Sequence, residues 1–67
     1  MTIRNIMWAV KPGQKIVIYE HKRGCECDPV IFEGDDEELD KLDSPLFSAR
    51  RVIEVEAKGD VLAVTII

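Results

Sequence analysis

The chain has 67 residues, 46% of them hydrophobic and 33% charged, with 13 acidic and 9 basic side chains for a net charge of -4. That is one domain's worth of chain, too apolar for a disordered tail and of the wrong sign for a basic nucleic-acid-binding domain. A fold this short buries only about 60% of the surface its unfolded chain exposes, so its stability margin is thin and a staple, a metal or a partner chain would help.

Thr2 is a suitable N-cap, and Ile3, Ile6, Met7 and Val10 follow it at helical spacing, which predicts a short helix over residues 3–10, with a first strand as the competing reading. On such a helix Trp8 is expected in the core. Pro12-Gly13 ends the segment. Lys15 to His21, with Ile16, Val17, Ile18 and Tyr19, reads as a strand, and Glu26 to Glu33, with Val30, Ile31 and Phe32, as a second. The turn at Lys22-Arg23-Gly24 makes them an antiparallel hairpin. Gly34 closes that strand, and Asp35 opens a short helix in which Asp35 and Glu38 have capping-box spacing and Leu39 and Leu42 face inward. Asp43-Ser44-Pro45 breaks the helix, and Leu46 and Phe47 are expected to pack back onto the sheet.

Arg51 to Ala57 and Val61 to Ile67, joined by Lys58-Gly59-Asp60, form a second hairpin. The first arm alternates, with Ile53, Val55 and Ala57 on one side and Glu54 and Glu56 on the other. The last arm is apolar on both faces, Thr65 being its one polar residue. Such a strand is central, lies in a small barrel, or meets another chain. It carries no lysine or proline to blunt an exposed edge, so a central position in a closed monomer and an interaction surface at Val61, Val64, Ile66 and Ile67 stand as equal readings. The expected fold is therefore a single α+β domain over residues 1–67: a four-stranded antiparallel sheet of two β-hairpins with one or two short helices. A small SH3-like β-barrel is the alternative.

Chemistry is sparse. His21 is the one histidine, and Cys25 and Cys27 are too close together for a useful disulfide. A thiol activated by His21 would need a shielded pocket, which a hairpin tip does not supply, so no enzyme and no catalytic residues are expected. His21, Cys25, Cys27 and Asp28 fall within eight residues and have the donor types zinc favours. They lack the distant second ligand pair of structural zinc sites, and the expectation is no metal and no cofactor. From Glu33 to Asp43 there are seven acids and one lysine, whereas the rest of the chain sums to +2. A patch at Asp35, Asp36, Glu37, Glu38 and Asp40 can imitate the phosphates of nucleic acid and block a basic site, or it can simply favour a helix N-terminus and solvate its outer face. It does not follow the calcium-loop pattern. The doublets Lys22-Arg23 and Arg50-Arg51 have few aromatic stackers near them, which argues against direct nucleic-acid binding.

The longest apolar run, Val61–Ile67, has seven residues, far short of the ~20 a spanning helix needs. Met1 to Lys11 is too short and wrongly flanked for a signal peptide, so a cytoplasmic protein without membrane contact is expected. The layout Ile31-Phe32-Glu33-Gly34, an acidic helix, Val52-Ile53 and Asp60-Val61-Leu62-x-Val64-x-Ile66 resembles small uncharacterised proteins of bacterial phages and prophages. The Cys-x-Cys at the first hairpin departs from that pattern. The resemblance implies a mobile-element accessory role and carries no site residues. The expected function is a non-enzymatic protein-interaction or self-assembling module with a protein partner or a second copy of itself. An acidic nucleic-acid-mimicking inhibitor and a zinc-binding module are the alternatives.

Overall fold

A computed structural model of the chain describes residues 1–24, 28–42 and 44–67. Its elements are α1 (Ile3–Ala9), β1 (Lys15–Glu20), β2 (Val30–Asp35), α2 (Asp36–Lys41), α3 (Pro45–Ser48), β3 (Val52–Lys58) and β4 (Val61–Ile66).

Local chemistry explains each boundary. Extended Thr2 precedes α1, and its N–H and hydroxyl both donate to Asn5 Oδ1, at 2.9 and 3.2 Å. After α1 the chain turns at Lys11-Pro12-Gly13-Gln14. Gln14 N–H donates to Lys11 O at 3.1 Å, and Gly13 supplies the φ of 84° that the third position of a type II turn requires. Asp35 caps α2 by accepting the Glu38 N–H at 2.9 Å, with Asp36, Glu37 and Glu38 in the first turn and Lys41 in the last, as the helix dipole favours. Ser44-Pro45 ends one helix and also starts another. The Ser44 hydroxyl accepts the Phe47 N–H at 3.3 Å, and Pro45 occupies the first turn of α3, where its missing N–H costs nothing.

The sheet order is β2-β1-β4-β3. Two of its junctions are the expected antiparallel hairpins, but β1 and β4 run parallel, Lys15 opposite Val61 through Glu20 opposite Ile66. The expectation of a wholly antiparallel sheet is thus corrected, and the sheet is open rather than closed into a barrel. The reason lies in the two arms of the second hairpin. Had β3 met β1, the sheet would have been antiparallel throughout, with the Glu-bearing arm inside and the arm apolar on both faces at the edge. The hairpin is placed the other way round, and the parallel junction follows.

All three helices cover one face. Ile3 and Ile6 of α1 and Leu39 of α2 pack on Ile16, Ile18, Phe32, Val52, Val64 and Ile66, with Met7, Val10, Phe47 and Leu62 at the margin. Ser48, fully buried, is satisfied: its hydroxyl donates to Ser44 O at 2.9 Å and accepts from Arg4 Nη2 at 3.1 Å. Three expectations for the core are corrected. Leu42 is half exposed at the end of α2, Leu46 is 88% exposed while Phe47 turns in, and Trp8 is 76% exposed on the outer side of α1.

Both outer strands contain a bulge, at Ile31 in β2 and Ile53 in β3, where the register shifts by a residue and an isoleucine is left exposed. Gly34 sits where β2 meets α2. A Cβ there would overlap the Glu38 carboxylate and lie 3.1 Å from Phe32 Cζ. The carboxylate can swing away, but the buried ring cannot. Gly34→Ala should therefore lower stability by about 1–2 kcal/mol in urea titration, and adding Glu38→Ala should recover only part of the loss.

Candidate interaction site

Val64 and Ile66, two of the four residues read as an interaction surface, are 1% and 0% exposed and belong to the chain's own core. Val61 is half-buried and Ile67 is exposed. Both long edges of β4 are taken, by β1 and by β3, so β4 is an inner strand: Leu62, Val64 and Ile66 turn to the helix-covered face, and Val61, Ala63 and Thr65 to the other.

Exposed apolar side chains of the sheet lie instead on its two outer strands, at Val30 and Ile31 of β2 and at Ile53 and Val55 of β3. Val55 also lines a shallow groove with Ile6, Ala9, Val10 and Leu62, between α1 and the outer strand. Sequence reasoning placed Val55 on an alternating strand but did not make that strand an edge. The signal was present: of the two arms of the hairpin, β3 alone alternates charged with apolar residues, as a strand open on one side does.

The outer edge of β3 is closed at one end. Val52 N–H donates to Met1 O at 2.9 Å and Ile3 N–H to Arg50 O at 3.1 Å, so Thr2 bridges Arg51 along that edge. The bulge at Ile53 follows at once. At the other end Gly59-Asp60 makes the two-residue connection, with Gly59 at φ 60° and negative φ at every described non-glycine residue, the pattern of a type II′ turn. In such a hairpin the closing pair, Lys58 and Val61, exchanges both hydrogen bonds. By alternation, the N–H and C=O groups of Val55 and Ala57 then point away from β4. Between the bulge and the turn, residues 54–58 form an open edge without a strand partner among the described residues.

The acids of the predicted patch hold separate positions. Asp35 caps α2, and Asp36 Oδ1 accepts the Gly13 N–H at 2.7 Å, tying α2 to the turn after α1. The Glu38 carboxylate lies over Gly34, while Glu37 and Asp40 point outward. Two of the five, Asp35 and Asp36, thus have a local structural task. Of the metal candidates, His21 Nδ1 lies 3.1 Å from Asp28 Oδ1, fastening the ends of the first hairpin loop. Cys25 and Cys27 lie outside the described residues.

A further polar cluster ties the end of the parallel junction together. Arg50 Nη2 donates to Glu20 Oε2 at 2.7 Å and Arg50 Nε to Ile67 O at 2.8 Å, while His21 N–H donates to Ile66 O at 2.7 Å. One guanidinium thus spans the ends of β1 and β4. The hydrogen bond from Arg50, aided by its charge and that of Lys22, holds the Glu20 carboxyl below its ordinary value.

No protein-family model matches this chain, and neither a curated protein nor a solved structure does. What the molecule does must therefore be read from its own surface. Among the described residues no helix is long and apolar enough to cross a membrane.

Because the folded-state pKa of Glu20 is depressed, the stability it contributes is present above the ordinary value of 4.5 and is lost as pH falls through the folded value. Glu20→Gln should melt below wild type at neutral pH, and the gap should close as the pH is taken below 4.5. A gap constant across that range would show that the carboxylate charge is not what Arg50 holds.

Proposed function

We propose that the chain is a non-enzymatic protein-interaction module whose working surface is the open edge of β3 and the groove beside it. The supporting observation is the combination at one place of unpaired strand backbone, the exposed Val55 and an apolar groove floored by Val10 and Leu62. An added strand takes its hydrogen bonds from such an edge and its specificity from the side chains on either face. The resemblance to small phage and prophage proteins suits an accessory role of this kind, carried out by binding. The acidic patch supports the reading as a nucleic-acid mimic less well, because Asp35 and Asp36 are engaged within the fold.

Photo-crosslinking residues placed one at a time at positions 56 and 40, in cells that make the protein, separate the surfaces. Position 56 should give a discrete crosslinked product that disappears when Val55→Lys is added, with the variant's melting curve unchanged. Crosslinking confined to position 40, or none at either position, would overturn the proposal.

A further inference from the structure

We infer that the occupant of the β3 edge is a second copy of the same edge, paired antiparallel about a two-fold axis at Glu56. This inference rests on reading that edge as the working surface, and goes beyond it by naming the partner and the register. The open segment runs from residue 54 to residue 58, bounded by the bulge on one side and the II′ turn on the other. A two-fold operator perpendicular to the sheet pairs residues of the same face, so each possible axis passes through a residue. Only an axis at Glu56 lays the whole of residues 54–58 on the same segment of the second copy. That axis also satisfies the backbone. Val55 and Ala57, whose N–H and C=O groups point outward, then face Ala57 and Val55 of the second copy as hydrogen-bonded pairs.

The side chains agree with the register on both faces. On the helix-covered face, Val55 meets Ala57 of the second copy at the lip of each groove. On the open face, Glu54 meets Lys58 of the second copy and Lys58 meets its Glu54, giving two opposite-charge cross-strand pairs. Within one chain Lys58 Nζ is 4.0 Å from Glu56 Oε2, at the outer limit of an ion pair, with both side chains more than half exposed, so the lysine is free to engage across the axis. Moving the axis to Val55 sets Glu54 against Glu56 twice. Moving it to Ala57 keeps two opposite-charge pairs, Glu56 with Lys58, but runs Glu54 into Asp60 twice and shortens the ladder. In the favoured register the one unfavourable meeting is Glu56 with itself on the axis. The edge therefore selects its own sequence, and the association is weak because only five residues a side take part.

Sedimentation equilibrium of the intact chain from roughly 10 µM to 1 mM tests this, a range suited to a small interface. Wild type should pass from monomer to dimer. Glu54→Lys and Lys58→Glu should each weaken dimerisation by roughly tenfold, since each turns two attractive pairs repulsive, and the double exchange should return it to within about threefold of wild type. Glu56→Gln should tighten the dimer several-fold. Melting curves of all four variants should stay near wild type, because these side chains are exposed. A wild-type monomer throughout the range, a double exchange no better than either single change, or no gain from Glu56→Gln would overturn the self-pairing. If the chain is monomeric while position 56 still crosslinks to a different protein, the edge remains the working surface and self-recognition is lost. If position 56 gives no crosslink either, both fall.

Discussion

The parallel pairing of β1 with β4 is the constraint on which the rest of the molecule depends. It places the one strand that is apolar on both sides where both sides are useful: Val64 and Ile66 against the helices, Ala63 and half-buried Val61 on the opposite face between neighbouring strands. A chain this short cannot leave that strand at an edge without exposing a flat apolar ribbon. Once β4 is inside, the second hairpin must present β3 outward, and the charges of Glu54, Glu56 and Lys58 become edge charges. Which arm of the hairpin is exposed follows from the choice of which strand is hidden.

The junction is pinned where it could fray. Arg50 reaches from the end of α3 to Glu20 and to the carbonyl of Ile67, and the His21 N–H closes on Ile66 O. Glu20 and the carbonyl are both acceptors, so a planar, permanently charged donor suits the position better than a lysine would. Arg50 and Arg51 look like a basic doublet in the sequence, but they are not one patch. Arg50 is engaged in the clasp, whereas Arg51 contributes backbone to a bridge with Thr2.

Much of the fold was legible in the amino-acid order because short-range chemistry decides it. Thr2, the Pro12-Gly13 turn, the Asp35 cap and the Gly59-Asp60 hairpin all work within a few residues, and α1, α2 and both hairpins were found from them. What escaped depends on distant parts of the chain. Which arm of the second hairpin meets β1 cannot be read from either arm alone, and the two bulged isoleucines are visible only once the strands are in register. The exposure of Trp8 and Leu46 reflects how little sheet is left for short helices to cover. The α3 helix is a different case. Ser44-Pro45 is as good a start as it is a stop, and only the stop was read. At the candidate site, the apolar character of β4 was identified correctly as information about burial. The exposed strand edge, however, lies on its hairpin partner.

The order of events during folding follows from the same central junction. The β1–β2 hairpin can close as soon as residue 35 is available, yet β1 must wait for β4, the last strand in the chain, before its other edge is filled. The bridge of Thr2 to Arg51 and the packing of Ile3 and Ile6 wait as well. Contacts of such separation slow folding, because the loop between them must be closed before they contribute anything. For that interval the inner edge of β1 is as exposed as the outer edge of β3 is in the finished protein. A nascent chain and a completed one therefore offer different strands to their neighbours, and crowding during synthesis would favour mispairing at β1 rather than at β3.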